Sequence, residues 1–353
     1  MTVSIADENL GITTPVELAH ILTMLRTRFD APNLDLALPP SSLKGGFWAE
    51  MWTLDFIDSS TGNLPNRVVL RLAPNSDLAI REATIQAGVA DQGYPTPRIH
   101  FAEAAAAGRR AWTVMDFATG HPLLAGLNGI AALKSLPRLL TAMPDTLARM
   151  ASDLHQLDPV PIEAQLNNLP NTSAGIDTLL NNYVASAQAV ADRRLTTFIE
   201  RVAATRPPDT LRVVCHGDLH PFNILTDTAH SHTVHSNTTH SHTVLDWTAA
   251  RITHPAYDLA FTQMILMTPL AAPRPLRPVV AAVARRIGER FLATYRKLSP
   301  HPIDGATLEW YHSLQAFRVL LDVALWRAEG TTGDHPGHPW FSLEPTFAHL
   351  LIA

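Results

Sequence analysis

The chain has 353 residues, of which 46% are hydrophobic and 17% are charged, and its formal net charge is −5. This composition is typical of a globular protein with a sizeable core, and the charge gives no electrostatic reason to expect nucleic acid as a partner. A single cysteine, Cys215, excludes an intrachain disulfide and a cysteine-based zinc cluster. Because neither a signal-peptide pattern nor a bilayer-length apolar run is present, we expect a cytoplasmic protein with no membrane partner.

The first third of the chain predicts a leading helix, then short strands around a second helix. Apolar residues at helical spacing favour the helices, whereas the strands are short runs bounded by turn residues. In chain order the predicted segments are a helix at 15–29, strands beginning near 43, at 52–57 and at 67–73, a helix at 77–91, and strands at 98–104 and 110–118. This order of β, β, β, α, β, β is typical of the small lobe of a kinase-like fold.

Helical patterns dominate from about residue 120 onward. The predicted helices span roughly 130–157, 175–204, 256–268, 277–298 and 306–329, and one strand pair lies around 221–246. The sequence therefore predicts an α+β protein of two lobes. We expect a small β-rich N-lobe at 1–117 and a large, mainly helical C-lobe at 118–353.

The most informative segment is VVCHGDLHPFNIL at 213–225, which VLDW follows at 244–247. Phosphoryl transfer from a nucleotide needs a carboxylate to take or orient the substrate hydroxyl proton, and two oxygen ligands to hold Mg²⁺ on the phosphates. Asp218 precedes Asn223 by the spacing of a kinase catalytic loop, and Asp246 closes a further apolar run. The sequence therefore predicts Asp218 as the catalytic base, with Asn223 and Asp246 as the magnesium ligands.

The N-lobe is expected to bind the phosphates of the nucleotide. Gly45 and Gly46 lie between the first strand candidates, where the backbone must come close to phosphate, although two glycines also suit an ordinary turn. A kinase also needs a strand cation tied to a helix glutamate. No lysine lies within 45–133, so Arg71 is predicted for this role with Glu82 as its pair. The alternative is that Arg71 is a solvent-facing strand residue.

The end of the last N-lobe strand is predicted to lead into a hinge at 117–120, with the nucleotide in the cleft between the lobes. Backbone groups near Met115, Asp116 and Ala118 are then expected to read the adenine edge of ATP, and GTP stays open as a donor. The side chain of Met115 is expected to pack in the core beside the nucleotide.

The motifs HGDLHPFN at 216–223, DW at 246–247 and HPAYDLA at 254–260 resemble the signature of the aminoglycoside phosphotransferase and choline kinase superfamily. The resemblance extends from about residue 41 to about residue 261. The same segment is also similar to the phosphotransferase domain of certain acyl-CoA dehydrogenases. It implies an ATP- and Mg²⁺-dependent enzyme that phosphorylates a hydroxyl group of a small molecule. The acceptor implied is an antibiotic, a hydroxy acid or a sugar-like alcohol.

The resemblance also implies supporting roles in the C-lobe. His216 and Asp258 match family positions that brace the catalytic loop by hydrogen bonds, although His216 also suits a core histidine. Substrate recognition is expected after Asp258. Acidic residues there are interleaved with basic and aromatic ones: Asp304, Glu309, Asp322, Glu329 and Asp334 with Arg318, Trp326, Arg327 and Trp340. Because this mixture is not a dedicated trap for polycations, an anionic or neutral acceptor is as plausible as a cationic one.

Two alternatives stay open at this point. The glycine loop departs from the family pattern and arginine replaces lysine, which suits a catalytically silent nucleotide-binding protein on a kinase-like fold. The second alternative rests on TAHSHTV at 228–234, which recurs as TTHSHTV at 238–244. This repeat is interpreted as an expanded hairpin tip, whose length costs little closure entropy, with metal binding by its histidines as the competing hypothesis.

Overall fold

The computed structural model describes residues 15–43, 49–57, 64–104, 110–124, 139–208, 210–226, 242–268, 274–335 and 338–352. Contacts divide the chain into two compact units. Unit 1 comprises Met1–Ala87 and Pro97–Thr119, and unit 2 comprises Gly88–Thr96 and Gly120–Ala353. The domain boundary expected from the sequence, between residues 117 and 118, stays a prediction.

Unit 1 consists of a helix, a five-stranded antiparallel sheet and most of a second helix. Its elements are α1 (Pro15–Arg28), β1 (Ser41–Leu43), β2 (Glu50–Asp55), β3 (Arg67–Ala73), α2 (Ser76–Asp91), β4 (Ile99–Glu103) and β5 (Ala111–Asp116). The strand order in the sheet is β1-β2-β3-β5-β4, with every neighbouring pair antiparallel. The hairpin predicted at 52–57 and 67–73 is confirmed as β2 and β3, paired from Glu50 with Leu72 to Asp55 with Arg67.

Strand β3 shows why the two faces of this sheet differ. Its side chains alternate, so Val68, Leu70 and Leu72 lie on one face and are almost completely buried in a cluster with α1 and β2. Each such side chain stabilises the fold by about 1.5–3 kcal/mol through burial. Arg71 belongs to the other face of the strand, which is therefore available for a polar role.

Unit 2 is mainly helical. Its helices are α3 (Ala142–Leu154), α4 (Val160–Asn167), α5 (Ile176–Val190), α6 (Arg193–Ala204), α7 (Ala256–Met267), α8 (Arg277–Leu298), α9 (Gly305–Glu329) and α10 (Pro339–Phe347), with short 3₁₀ turns at Arg274–Leu276, Thr332–Asp334 and Ala348–Leu351. The single helix predicted over 175–204 is wrong, because the chain forms α5 and α6 there. Ala191 adopts a φ of 60°, and the Asp192 carboxylate accepts a hydrogen bond from the backbone N–H of Arg194 at 2.9 Å, which caps the new helix.

Short strands of unit 2 hold the segments with the chemical motifs. They are β6 (His121–Pro122), β7 (Val213–Cys215), β8 (Ile224–Thr226), β9 (His242–Val244) and β10 (Arg251–Thr253). Strands β6, β8 and β9 form one antiparallel sheet, and β7 pairs with β10 in another. The predicted strand pair around 221–246 is thus confirmed as β8 and β9. Most of the histidine-rich repeat, at 227–241, lies outside the described residues.

The core of unit 2 forms around α7, whose residues are buried on almost every side. Phe261 and Met264 of α7 pack in a cluster with Val319 and Val323 of α9 and with Trp340 of α10. Because α7 begins directly after β10, this packing fixes the chain that leads out of the motif region. Within the part of the chain that the structure describes, no helix combines the length and apolar character needed to cross a membrane.

Candidate active site

Gly217 fixes the path of the loop that follows β7. Its φ is 76°, a left-handed conformation that side chains with a Cβ rarely adopt. A Cβ atom there would collide with the carbonyl oxygen of Ala249 and would lie 2.8 Å from Cε1 of Tyr257. Glycine is therefore required between His216 and Asp218, which explains the middle residue of the HGD motif.

Asp258, in the first turn of α7, braces the same loop. Its carboxylate is fully buried and accepts hydrogen bonds from the backbone N–H of His216 at 2.8 Å and of Gly217 at 2.5 Å. A ring nitrogen of His155 lies 3.1 Å from the same carboxylate. A buried charge needs such partners, and the N-terminus of a helix favours it further. These are the contacts expected of a loop brace.

The Asp218 side chain lies among donors and positive charge. Its Oδ2 accepts a hydrogen bond from Nδ2 of Asn223 at 3.1 Å, and its Oδ1 lies 3.5 Å from Nη2 of Arg318. Burial alone would raise the pKa of this carboxyl, but the hydrogen bond and charge of His220 and the charge of Arg318 hold that pKa well below its usual value. Asp218 is therefore an anion at neutral pH.

The β8–β9 hairpin brings the two predicted metal-ligand segments together. The backbone N–H of Leu245 donates to the carbonyl oxygen of Asn223 at 2.8 Å, one step beyond the strand pairs. Asp246 follows with a φ of 64°, a left-handed conformation that aspartate adopts more readily than most residues other than glycine. Its Oδ1 accepts a hydrogen bond from the hydroxyl of Thr248 at 2.6 Å.

The donor atoms in this hairpin fit a hard cation such as Mg²⁺. Asn223 uses its Nδ2 for both the backbone oxygen, at 3.0 Å, and the carboxylate of Asp218. Its amide Oδ1 thereby faces away from these bonds and receives no hydrogen bond from the described residues. The amide oxygen of Asn223 and the carboxylate of Asp246 lie at the same end of one hairpin and are the ligand types that the sequence predicted.

His216 joins the catalytic loop to the segment of Asp246. Its Nδ1 accepts a hydrogen bond from the backbone N–H of Asp218 at 3.2 Å, and its Nε2 donates to the carbonyl oxygen of Leu245 at 2.9 Å. One donor and one acceptor define the neutral ring. Burial lowers the pKa of His216, against the opposing charges of Asp258 and the other nearby acids, and so favours that neutral form. His216 is thus both a core residue and a hydrogen-bonded connection between the catalytic loop and the segment of Asp246.

Trp247 completes the connection. Its side chain is completely buried, and its Nε1 donates to the hydroxyl of Thr96 at 2.8 Å. The indole ring lies 4.8 Å from the ring of His216 and 5.8 Å from that of Tyr94, measured between centroids. These contacts hold the side chain of Trp247 in place, so the neighbouring Asp246 is kept in one position and the Asp246-Trp247 segment does not flip.

In unit 1, the side chain of Arg71 is only 11% exposed and forms an ion pair with Glu82. The solvent-facing alternative for Arg71 is therefore wrong, whereas its role in phosphate binding stays a prediction. Met115 is buried and Ala118 is half-buried. The carboxylate of Asp116 lies 2.6 Å from Nε2 of His100. The predicted phosphate-loop residues, Gly45 and Gly46, lie outside the described residues.

Comparison with known proteins places these features in a family. Residues 56–301 match the family model described as the phosphotransferase enzyme family, APH. The chain belongs to this family. No curated protein sequence matches the chain.

Solved structures agree with the APH family. A Ralstonia eutropha protein assigned as an aminoglycoside phosphotransferase has a TM-score of 0.63 at 15% identity, with 95% of each chain covered. Spectinomycin phosphotransferase APH(9)-Ia, solved with ADP and spectinomycin, has a TM-score of 0.54 at 13% identity, covering 95% of this chain and 97% of that chain. A thermostable variant of APH(4)-Ia, solved with ADP and hygromycin B, has a TM-score of 0.55 at 16% identity, covering 94% and 98%. At these identities the likeness shows the fold alone, and it confirms the predicted kinase-like fold.

Sequence reasoning missed the importance of Arg318 in this APH-family chain. Its Nη1 donates to the carbonyl oxygen of Gly217 at 2.9 Å, and its guanidinium carbon lies 5.1 Å from the ring centre of Phe261 and 5.8 Å from that of Trp340. Arg318 is 100 residues from Asp218 in sequence, so no local spacing connects the two. The available signal was a basic residue on the otherwise buried face of α9.

His338 makes part of the fold sensitive to pH. Its Nδ1 accepts a hydrogen bond from the backbone N–H of Trp340 at 3.2 Å and so caps α10. Burial, aided by the charge of His335, lowers the pKa of His338 to about 4. The unfolded chain, with a histidine pKa of about 6.5, binds the proton more readily. Stability from this group is therefore present above about pH 6.5 and is lost as the pH falls toward 4.

We expect His338→Asn to reduce this pH dependence. Asparagine keeps an acceptor that can cap the helix but has no group that titrates in this range. The loss of unfolding free energy between pH 7 and pH 5, measured by urea denaturation, should be smaller in the variant than in the wild type. An equal loss in both proteins would show that other groups account for the pH dependence.

Proposed function

We propose that this chain is a Mg²⁺-dependent phosphotransferase that transfers the γ-phosphoryl group of ATP, or of GTP, to a hydroxyl group of a small molecule. The observation that carries the proposal is the hydrogen-bonded pair of Asp218 and Asn223, with the segment of Asp246 joined to Asn223 by the backbone bond from Leu245. A base and two oxygen ligands within one short hairpin and its preceding loop are the parts that this reaction requires.

Asp218 acts as the base in this proposal. Its low pKa keeps the carboxylate charged, so it can accept a hydrogen bond from the acceptor hydroxyl and orient that oxygen toward the phosphorus. A weakly basic carboxylate is sufficient, because phosphoryl transfer through a loose transition state needs little activation of the nucleophile. The proton leaves the hydroxyl late and passes to the Asp218 carboxylate.

Asn223 and Asp246 hold the metal in this proposal through an amide oxygen and a carboxylate. A Mg²⁺ ion held by these two residues would supply positive charge to stabilise the charge that develops on the phosphate oxygens. His216 and Trp247 keep the two ligands in register by the bonds described above. Donor binding in unit 1 is assigned to Arg71, held by Glu82, and to the backbone near Met115, Asp116 and Ala118. Gly45 and Gly46 stay the expected phosphate loop.

The structural neighbours support a nucleotide donor and a small-molecule acceptor. The APH(9)-Ia and APH(4)-Ia structures hold ADP together with spectinomycin or hygromycin B. Because the likeness to those enzymes is one of fold, the acceptor of this chain is proposed only as a hydroxyl compound of the antibiotic, hydroxy acid or sugar-like class.

A nucleotide-consumption screen tests this function. The protein is incubated with Mg²⁺ and ATP, and in parallel with GTP, across aminoglycosides, macrolides, hydroxy acids and sugar alcohols. Acceptor-dependent release of the diphosphate, with a product heavier by one phosphoryl group in mass spectrometry, is the expected result.

Binding of nucleotide with no consumption for any acceptor would instead favour the silent nucleotide-binding protein. That alternative draws on the arginine at position 71, which stands where kinases use lysine and which is engaged by Glu82. Arginine can still chelate phosphate oxygens with its planar fork, so we favour the active enzyme.

A further inference from the structure

Arg251 is a buried cation with no ion pair or hydrogen bond at two of its side-chain nitrogens among the described residues. Only 6% of its surface is exposed, and its Nε and Nη1 atoms are buried with no hydrogen-bond partner among the described residues. Guanidinium groups carry a permanent positive charge in proteins, so their burial without a partner is costly. Buried charges in proteins are normally paired, so the described residues leave Arg251 suited to an anionic partner.

The position of Arg251 in the sheet directs its side chain toward α9. On β10 it pairs with Cys215 of β7, and Thr253 lies two residues further along the same face of the strand. The hydroxyl of Thr253 lies 3.0 Å from that of Tyr311 on α9. Arg251 therefore faces the same helix that carries Arg318.

Arg318 lies two helical turns beyond Tyr311 on α9, which brings it to the same side of that helix. The charges of both arginines act on one phenol, that of Tyr183 on α5, where burial and then the field of Tyr257 raise the pKa while Arg318 and Arg251 oppose the rise. Both guanidinium groups thus lie within electrostatic range of Tyr183. Arg318 also donates to the carbonyl oxygen of Gly217, so this member of the pair lies beside the candidate catalytic base Asp218.

The acids near Arg318 are bonded to other groups. Asp218 is 3.5 Å from Arg318, a long contact, and is also bonded to Asn223. Asp322 accepts a hydrogen bond from Nε1 of Trp340 at 3.0 Å, and burial raises the pKa of its carboxyl against the opposing charge of Arg318. Neither guanidinium group therefore has a short ion pair with an acid among the described residues.

We propose that Arg251 and Arg318 bind an anionic group of the acceptor, a carboxylate or a phosphate, and so select an anionic hydroxy compound as the substrate. That the bound anion belongs to the acceptor rests on the proposed function, whereas the anion site itself does not depend on that function. Two guanidinium groups can bind the oxygens of a planar carboxylate or a tetrahedral phosphate through paired hydrogen bonds. A cationic acceptor would meet the same two charges with its own positive charge, which argues against a polyamine antibiotic.

A series of two-carbon alcohols tests the charge preference. Glycolate, ethylene glycol and ethanolamine each offer a primary hydroxyl and differ only in bearing a negative, no or a positive charge. Thermal unfolding of the nucleotide-free protein is followed with each compound, at constant ionic strength. Inorganic phosphate is added as a second anion, which distinguishes a site for phosphate from one for carboxylate. We expect glycolate or phosphate to raise Tm, and the other two compounds to leave it unchanged.

Arg251→Met is the decisive variant, because methionine keeps an unbranched side chain and removes the charge. Its Tm without added anion should equal or exceed that of the wild type, since it removes an unpaired buried cation. The rise in Tm caused by the anion should disappear. Arg285→Met, which changes an exposed arginine on α8, should behave like the wild type. An anion response that is unchanged in Arg251→Met, or absent from the wild type, would overturn the proposal.

Turnover separates this inference from the proposed function. With Mg·ATP, kcat/KM for glycolate should exceed that for ethylene glycol by at least about tenfold, and Arg251→Met should remove the difference mainly through KM. Loss of anion binding together with active transfer to neutral or cationic alcohols would refute only the anion site. Anion binding that depends on Arg251, without transfer to any acceptor, would support the site and refute the kinase activity.

Discussion

Asp218→Asn is expected to lower kcat for phosphoryl transfer by about 10²–10⁴-fold, the range that a lost general base costs. The amide has nearly the same size as the carboxylate, but it cannot take the acceptor proton and carries no charge beside Arg318. Kd for Mg·ATP should stay near the wild-type value, because Asp218 is not one of the predicted metal ligands. Steady-state kinetics and isothermal titration calorimetry measure the two quantities.

Asp246→Asn separates metal binding from base catalysis. This change removes an anionic ligand, so the affinity for Mg·ATP should fall by at least about tenfold, in addition to a loss of kcat. Asp145→Asn is the matched control, since Asp145 is a carboxylate of the same unit that pairs with Arg290 at 2.6 Å, away from the motif. Activity of the control should stay near that of the wild type. If Asp218→Asn retained most of the wild-type kcat, the assigned base would be wrong.

Gly217→Ala is expected to reduce the free energy of unfolding by about 3 kcal/mol or more. The added methyl group must adopt a φ of 76° and would collide with the Ala249 carbonyl, which belongs to the backbone and cannot move away cheaply. Relief of the collision would displace the two N–H groups that Asp258 binds. The loop that carries Asp218 would then lose its support, so activity should fall together with stability. Urea denaturation gives the free energy.

Gly330→Ala provides a control in which only the backbone conformation is tested. Gly330 ends α9 with a φ of 73°, and a Cβ atom there would meet nothing within 4 Å. The expected cost is about 1–2 kcal/mol, the cost of placing alanine in the left-handed region. Equal destabilisation by the two changes would mean that the contacts with Ala249 and Tyr257 are not tight.

Local patterns predicted those features whose cause lies within a short stretch of chain. The alternation in β3 and the turn before it defined the hairpin with β2, and helical spacing predicted α1, α2 and α9 within one or two residues. The break between α5 and α6 escaped prediction. Ala191 is a good helix former, so its left-handed conformation comes from the tertiary packing of the two helices and not from its own preference.

In the candidate site, too, local sequence predicted some features and only the tertiary structure revealed others. The sequence by itself indicated the family, the candidate base Asp218 and its partner Asn223, because these residues lie within one short motif. The family resemblance already implied Asp258 as a brace of the loop, but only the tertiary structure decided which N–H groups it binds, 42 and 41 residues upstream, and that Arg318 lies beside Asp218. The same is true of Arg251, whose Nε and Nη1 are buried without a hydrogen-bond partner in the part of the chain that the structure describes. The role of a charged residue depends on the groups that tertiary packing places beside it, and the spacing of residues along the chain does not encode that packing.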